Sequence, residues 1–333
     1  MINRRKFLQT SLAGGAALAI PGNLSNFLSP KAWSALTEPL LEVAAGETLI
    51  TILHTNDTHS QIDPIAETDK TYGGKGGVAR RATLVKRVRQ ENPNTLMIDA
   101  GDVFQGTPYF NFYKGEVEYK AMTLIGYDVV TLGNHDFDNG VQALADAMKF
   151  AKFDFVSTNY DVRGTVLESR VKPYAVRTFG DVRVGLFGMG VSPDNLITPD
   201  NFKGVKYLDP VRMARGVVRL LREQEKCNLV VGMSHLGYYA NPRPNEIGDS
   251  QVSEQVSGID FIASGHTHTF MKEPVVQKNP QGKDTIIFQV GRSGIYVGRV
   301  DFKMKGGQVV ASAGRLLDLR DESLAWFSSH RDV

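Results

Sequence analysis

Apolar residues occur along this chain in short runs, and many of these runs end abruptly in polar residues. From Glu47 onward, runs rich in β-branched residues alternate with segments of helical periodicity, which indicates an α/β fold. The pattern predicts strands over residues 49–54, 95–99, 128–132, 153–157, 182–187, 229–234 and 261–264.

Helical patterns separate these strands. The clearest begins at Asp209, an N-cap residue that is followed by proline at the first helical position. Its apolar side chains share one face, which indicates a helix that packs on a sheet. They are Val211, Ala214, Val217, Val218 and Leu221. A second helix is predicted from Val78, after a glycine-rich stretch at 73–77. That stretch lacks the spacing of a phosphate-binding P-loop and is predicted to be a mobile loop.

The last part of the folded region is rich in β-structure. After Glu273 the sequence predicts hairpins with strands over residues 274–277, 285–290, 296–303 and 309–316. The sequence contains no internal repeat, low-complexity block or interdomain linker, so a single domain is the simplest organisation.

The first residues differ in character from the rest. Arg4 and Arg5 precede a stretch over residues 7–20 that is apolar or small and uncharged. This resembles a twin-arginine export signal, and it is shorter than the roughly 20 apolar residues of a spanning helix. We therefore interpret residues 1–34 as a signal region and expect the protein in the periplasm, with no transmembrane helix in the mature chain. Cleavage after Ser34, cleavage after Ala45 and an uncleaved anchor are all compatible with the sequence.

Composition and charge narrow the range of functions. The chain has 333 residues, 42% hydrophobic and 22% charged, which is ordinary for a globular protein. Residues 1–34 carry four basic and no acidic residues, so their removal changes the net charge from +2 to −2. No basic surface for a nucleic-acid polymer is therefore predicted. The single cysteine, Cys227, is interpreted as a small core residue, which argues against redox chemistry.

Residues that can bind metals follow the ends of the predicted strands. Five strands run into loops that contain Asp, Asn or His, and five of the seven histidines lie in these loops. Ligands of open α/β sheets bind outside the carboxyl ends of strands, so we expect the five loops to converge. Carboxylates, amides and imidazoles together suit Zn²⁺, Mn²⁺ or Fe, and two-metal centres are a recurrent device for phosphoryl transfer.

The segments HTNDTHS, GDVFQG, GNHDFD, SHLG and GHTHT occur in this order along the chain. Together they resemble the signature blocks of the calcineurin-like metallophosphoesterases, specifically of the 5'-nucleotidase branch. The resemblance covers residues 47–318, a metallophosphoesterase domain, and leaves residues 319–333 as a C-terminal tail. It implies an α/β fold of the calcineurin-like four-layer type, in which two mixed β-sheets are flanked by helices.

The same resemblance implies two divalent metal ions that share one carboxylate. The first would be held by Asp57, His59, Asp102 and His268, and the second by Asp102, Asn134, His235 and His266. Many bacterial nucleotidases have glutamine at the position of His268. The histidine of this chain would also be a metal ligand, so the ligand is retained, but the preference for one metal over another is expected to change.

The resemblance also implies roles beside the metals. His135 would stabilise charge on the phosphoryl group or the leaving oxygen, and Asp138 would orient this imidazole and keep it protonated. Asn134 would be a neutral ligand that adds no negative charge where a phosphate dianion approaches. Asp136 is interpreted as an N-cap or a solvated carboxylate, and His54 as a packing residue or a support for the ligands.

The function expected from the resemblance is hydrolysis of phosphate monoesters, with nucleoside 5'-phosphates or related nucleotides as substrates, by hydroxide generated at the metals. Family nucleotidases usually carry a second, nucleobase-binding domain, and with only about fifteen residues after residue 318 we expect none in this chain. One alternative is a split nucleotidase whose nucleotide-binding part is a separate polypeptide. Others are a cyclic-nucleotide or nucleotide-sugar phosphodiesterase, a sulfur-oxidation thiohydrolase and, least favoured, a metal-binding interaction protein without turnover. Four loop aromatics are candidates for contact with a base, although each is more often a core residue: Phe104, Tyr109, Phe110 and Tyr238.

Overall fold

Two β-sheets packed face to face form the centre of the molecule, and helices cover their outer faces. The structure is a computed structural model that describes residues 37–239 and 247–319. The predicted signal region at 1–34 and residues 320–333 of the predicted tail lie outside the described residues.

Strands and helices alternate along most of the described chain. Strands β1 to β15 are Glu47–Thr55, Thr95–Asp99, Val129–Thr131, Asp154–Val156, Tyr160–Asp161, Val171–Lys172, Tyr174–Phe179, Val182–Gly190, Lys206–Tyr207, Leu229–His235, Phe261–Ser264, Val275–Lys278, Asp284–Phe288, Tyr296–Lys305 and Gln308–Asp318. Helices α1 to α6 are Val78–Glu91, Pro108–Tyr113, Glu116–Ile125, Gly140–Ala147, Pro210–Glu223 and Asp249–Gln255.

Both large sheets are mixed. The first has the order β15-β14-β1-β2-β3-β4-β6, in which β1, β2, β3, β4 and β6 run parallel and β14 and β15 are antiparallel additions. The second has the order β12-β13-β11-β10-β8-β7, with a parallel centre and antiparallel edge strands. Strands β5 and β9 form a small separate pair.

Apolar side chains divide the molecule into four layers. Ile52 and Val129 of the first sheet pack with Leu186, Val231 and Phe261 of the second in one buried cluster between the sheets. The opposite face of the first sheet packs on α1 to α4, and the opposite face of the second packs on α5 and α6. This arrangement confirms the predicted four-layer α/β fold.

The strand and helix predictions agree with most of this architecture. All seven predicted core strands are present, and α1 follows the glycine-rich stretch. Helix α5 begins at the predicted site, where the Asp209 carboxylate accepts a hydrogen bond from the N–H of Arg212 at 2.7 Å. The predicted hairpins are β12–β13 and β14–β15, and each extends a different sheet. Strands β5, β6, β7 and β9 were not predicted.

Two expectations drawn from composition concern Cys227 and the membrane. Cys227 is a free, buried thiol, as predicted. Among the helices within 37–239 and 247–319, none combines the length and the apolar character needed to cross a bilayer.

Candidate metal centre

Loops from both sheets meet at one place, and each follows the carboxyl end of a strand. The backbone N–H of Asp57 donates to the Gly101 carbonyl at 2.9 Å, which joins the loops after β1 and β2. The N–H of His266 donates to Oδ2 of Asp57 at 2.9 Å, which joins the first sheet to the second. The predicted ligands lie on these loops: Asp57 and His59 after β1, Asp102 after β2, Asn134 after β3, His235 at the end of β10, and His266 and His268 after β11.

The backbone adopts an unusual conformation at most of these positions. Asp57, His59, Asp102, His266 and His268 have φ values between +48° and +72°, in the left-handed region that residues other than glycine seldom adopt. Each such residue costs on the order of 1–3 kcal/mol, and such strain clusters at functional sites. The surrounding packing therefore holds these loops in a conformation that local preferences oppose.

A close approach between two loops explains one of the glycines. Gly101 has a φ of +92°, and a Cβ atom at this position would lie 2.6 Å from the backbone nitrogen of Gly133. A larger residue would push the loop after β2 away from the loop after β3. Gly101 therefore lets Asp102 and Asn134 come together.

Asp57, His59 and His268 form the first group of ligand atoms. Oδ1 of Asp57 lies 3.2 Å from Nε2 of His268 and 3.8 Å from Nε2 of His59, and the two Nε2 atoms are 2.9 Å apart. Nδ1 of His59 lies 3.2 Å from the Phe104 carbonyl, to which it donates, so Nε2 keeps its lone pair. Three ligand atoms this close together suit one cation.

Asp102, His235 and His266 form the second group. Nε2 of His235 lies 2.9 Å from Oδ2 of Asp102, and the rings of His235 and His266 have centroids 5.2 Å apart. Nδ1 of His235 donates to the Ala100 carbonyl at 2.8 Å, the kind of bond that fixes the tautomer of a metal-binding imidazole. Oδ1 of Asp57 lies 3.9 Å from Nε2 of His235, so the two groups are adjacent.

One buried polar atom here lacks a hydrogen bond. Oδ1 of Asn134 has no hydrogen-bond partner among the described residues, whereas Nε2 of His235 lies 2.9 Å from Oδ2 of Asp102. An unsatisfied buried polar atom costs about 1–3 kcal/mol, and a cation would satisfy this one. Oxygen and imidazole ligands together match Zn²⁺, Mn²⁺ or Fe, so the residues fit two divalent ions. Sharing of Asp102 between both ions stays a prediction, because its carboxylate belongs to the second group only.

Burial and local charge give the histidines different protonation states. Burial lowers the pKa of His59, and burial together with His235 lowers the pKa of His266 to about 4. Burial also opposes protonation of His235, but the Asp102 and Asp57 carboxylates outweigh it and raise the pKa of His235 to about 10. Metal binding to Nε2 of His235 would therefore displace a proton that Asp102, 2.9 Å away, stabilises.

His135 and Asp138 lie beside the two groups and are partly open to solvent. Nδ1 of His135 is 2.9 Å from Oδ2 of Asp138, and the two side chains are 34% and 28% exposed. The hydrogen bond to Asp138 raises the pKa of His135. The backbone N–H of His135 donates to Oδ1 of Asp102 at 2.8 Å, and its ring lies 5.5 Å from that of His59. A substrate can therefore reach this imidazole from solvent.

Comparison with known proteins agrees with this geometry. Residues 50–270 match the family described as Calcineurin-like phosphoesterase. The chain belongs to this family. The assignment made from the five motifs is therefore confirmed, and with it the assignment to the metal-dependent phosphoester hydrolases.

This calcineurin-like phosphoesterase is similar to several 5'-nucleotidases. It is 31% identical to the 5'-nucleotidase of Bos taurus over 84% of this chain and 51% of that protein. It is 30% identical to a snake venom 5'-nucleotidase of Gloydius brevicauda over 83% of this chain and 49% of that protein. The crystal structure of a 5'-nucleotidase precursor from Thermus thermophilus matches with a TM-score of 0.72 and 34% identity, over 84% of this chain and 58% of that one. The chain spans about half the length of the curated relatives it matches.

The expectation for Asp136 is wrong. Its side chain is buried, and its carboxylate accepts from the backbone N–H groups of Gly133 at 2.8 Å, Val103 at 3.1 Å and Asp102 at 3.2 Å. Burial, together with Asp102, raises the pKa of Asp136 to about 7. Asp136 lies in the short 3-10 turn His135–Phe137 and ties the loop after β2 to the loop after β3.

Asn56 supports the first ligand, a role that the sequence analysis missed. Its Nδ2 donates to Oδ2 of Asp57 at 2.7 Å and to the Gly291 carbonyl at 2.6 Å, and its Oδ1 accepts from the N–H of Val290 at 3.0 Å. This buried amide therefore fixes Asp57 against the segment after β13. Its place inside the HTNDTHS motif is the only sequence signal for this role.

Gln289 supports the loop that carries His266 and His268, and it was also missed. The residue is fully buried. Its Nε2 donates to the Gly265 carbonyl and to the Ser264 hydroxyl, both at 2.7 Å. Its Oε1 accepts from the Thr267 hydroxyl at 3.1 Å and from the N–H of Thr269. The available signal was a polar residue at the end of a strongly apolar strand.

His54 is a packing residue, one of the two roles expected for it. Its ring lies edge-on to Phe261 and Phe288, with centroids 5.5 and 5.3 Å away, between the sheets. Burial lowers the pKa of His54 to about 3, so the ring is neutral. It belongs to neither group of ligand atoms.

The four candidate aromatics divide into two pairs. Phe104 and Phe110 are buried and stack at 5.1 Å in the core. Tyr109 is half-buried and donates to the Asp63 carboxylate at 2.8 Å, and Tyr238 is half-buried. Only the two tyrosines are accessible enough to contact a ligand.

Proposed function

We propose that this chain hydrolyses phosphate monoesters, with nucleoside 5'-phosphates as the substrate class, and that it uses two divalent metal ions. The observation that carries the proposal is the pair of histidine–carboxylate groups beside the accessible imidazole of His135. Similarity to 5'-nucleotidases over most of this chain favours nucleotides among the phosphate esters.

The proposed ligand sets follow the two groups. Residues Asp57, His59 and His268 with Asp102 would hold one ion, and Asp102, Asn134, His235 and His266 the other. Bound there, divalent ions supply positive charge for the phosphate and lower the pKa of water. Asn134 contributes a neutral oxygen, so the centre has only two carboxylate ligands, Asp57 and Asp102. It would therefore attract a phosphate dianion more strongly than it would with a third carboxylate.

His135 is proposed to act directly on the substrate. Asp138 accepts from Nδ1, so a protonated ring presents its Nε2–H to the phosphoryl or leaving oxygen. A preorganised donor of this kind stabilises charge that grows in the transition state. Asp138 is a positioning residue, because it acts through the imidazole.

The test is phosphate release by the purified protein after loading with Mn²⁺ or Zn²⁺. We expect release from AMP and UMP to exceed release from an aryl phosphate, and little hydrolysis of cyclic nucleotides, nucleotide sugars and bis-aryl diesters. His135→Ala should lower kcat by about 100-fold or more while both metals stay bound. Absence of phosphate release from every monoester by the loaded protein would refute the proposal.

We also propose that the protein is exported through the twin-arginine route to the periplasm. This route moves folded proteins, and a centre built from five separate loops forms only in a folded chain. The proposal rests on Arg4, Arg5 and the uncharged stretch at 7–20. Replacement of both arginines by lysine should leave the protein in the cytoplasm on cell fractionation. An unchanged location of that variant would contradict the route.

A further inference from the structure

A buried ion pair lies on β14, close to the start of the described chain. Arg299 and Asp301 are fully buried, and the guanidinium binds the carboxylate through two bonds, Nε to Oδ1 at 2.9 Å and Nη2 to Oδ2 at 3.0 Å. The hydroxyl of Thr51 on β1 donates to the same Oδ1 at 2.8 Å. A buried pair of this kind is stable only when its remaining donors and acceptors are also satisfied.

Residues 37–42, here called the N-terminal strap, supply the missing partners. Nη1 of Arg299 donates to the Thr37 carbonyl at 2.7 Å, and Oδ2 of Asp301 accepts from the N–H of Leu40 at 2.7 Å. Nζ of Lys303 donates to the Glu42 carbonyl at 3.2 Å. Thr37 is only 2% exposed. The strap is therefore part of the folded domain, although it lies before the first strand.

The strap distinguishes between the two cleavage sites compatible with the sequence. Ala32 and Ser34 place small residues at the third and first positions before a cut, and Val43 and Ala45 do the same for a cut after Ala45. A cut after Ala45 removes the whole strap, so Arg299 loses an acceptor and Asp301 loses a donor. A cut after Ser34 leaves every strap contact in place.

We propose that the signal region is removed by hydrolysis of the Ser34–Ala35 peptide bond, and that the strap remains in the mature protein. A signal-cleaving protease would add water across this bond, which leaves a carboxylate on Ser34 and an amine on Ala35. The proposal rests on the proposed export, but the strap contacts do not depend on export or on phosphatase activity.

The first experiment is N-terminal sequencing and intact-mass measurement of the full-length gene product recovered from the periplasm. The expected first residue is Ala35. A first residue of Gly46, or an uncleaved chain in the periplasm, would overturn the proposal. An uncleaved chain found only in the cytoplasm would refute the export route as well, so the two failures can be told apart.

The second experiment tests the strap within the full chain. Leu40→Pro removes the N–H that binds Asp301, and Leu40→Ala is the matched control because it shortens the side chain but keeps that N–H. We expect the proline variant to have a Tm at least about 3 °C below that of the alanine variant, and its strap to be cleaved faster by an added protease. Equal Tm values and equal cleavage rates would show that the strap does not support the ion pair.

Discussion

Nδ1 of His135 lies 2.9 Å from Oδ2 of Asp138, and both side chains reach solvent beside ligand groups in which Asp57, Asp102 and His235 are almost fully buried. The pair is therefore open to a molecule that arrives from solvent, as is His268, whose side chain is 36% exposed. The pair is also separable from metal binding, because neither side chain belongs to the two groups of ligand atoms.

The first prediction concerns Asp138→Asn. The amide is neutral, so it removes the charge that favours a protonated imidazole. We expect kcat on AMP to fall by about 10- to 100-fold with a smaller change in KM, because the lost interaction develops in the transition state. Elemental analysis should still find two metals per chain. A variant with wild-type kcat would exclude a role for this carboxylate.

The second prediction concerns His268. His268→Gln replaces one ligand type by another, whereas His268→Ala removes the ligand. We expect the glutamine variant to keep two metals and measurable activity with an altered preference between Mn²⁺ and Zn²⁺. The alanine variant should lose about one metal per chain and most of its activity. His135→Ala is the control, since it should keep both metals. Two tightly bound metals in the alanine variant would contradict the assignment.

The sequence predicted the fold well where burial is continuous along a segment. Strands β1, β2, β10 and β11 are buried at nearly every position because both of their faces are covered, by the other sheet or by helices, and each of them carries adjacent apolar residues that the sequence shows as a run. Strands β5, β6 and β9 have only two residues each, so they leave no periodic pattern. Their pairing depends on tertiary contacts that the local sequence does not encode.

The site could be predicted only in part for a related reason. Side chains that follow strand ends are visible as motifs, and these are the residues that form the two groups. Asp136 was misread because its partners are backbone N–H groups, including those of Asp102 and Val103 on a loop more than 30 positions away. The role of Gln289 was missed because its partners are also remote along the sequence: three of them are at least 22 positions away.

The third prediction concerns pH and Asp249. Burial raises the pKa of this carboxyl from 3.8 to about 7, so the folded state holds the proton more tightly than the unfolded chain. Stability from this group is complete below about pH 4 and is lost as the pH rises to about 7. The free energy of unfolding of the wild type should fall between pH 4 and pH 8 as this carboxyl ionises. In Asp249→Asn the fall should be smaller by on the order of 2–4 kcal/mol, measured by urea unfolding. The exposed control Asp146→Asn should follow the wild-type profile, and an identical profile for Asp249→Asn would contradict the prediction.

The fourth prediction concerns Gln289, which uses all four of its hydrogen-bonding positions on the loop with His266 and His268. Gln289→Met keeps the length of the side chain but leaves the Gly265 carbonyl without its donor. We expect metal affinity, measured by calorimetry on the metal-free protein, to fall by about 10- to 100-fold. Gln277→Met on edge strand β12 is the control and should bind as the wild type does. A displaced loop would misplace His266 and His268, so a role in positioning the ligands requires a lower metal affinity. If Gln289→Met unfolds more easily but binds metal with unchanged affinity, Gln289 supports packing alone.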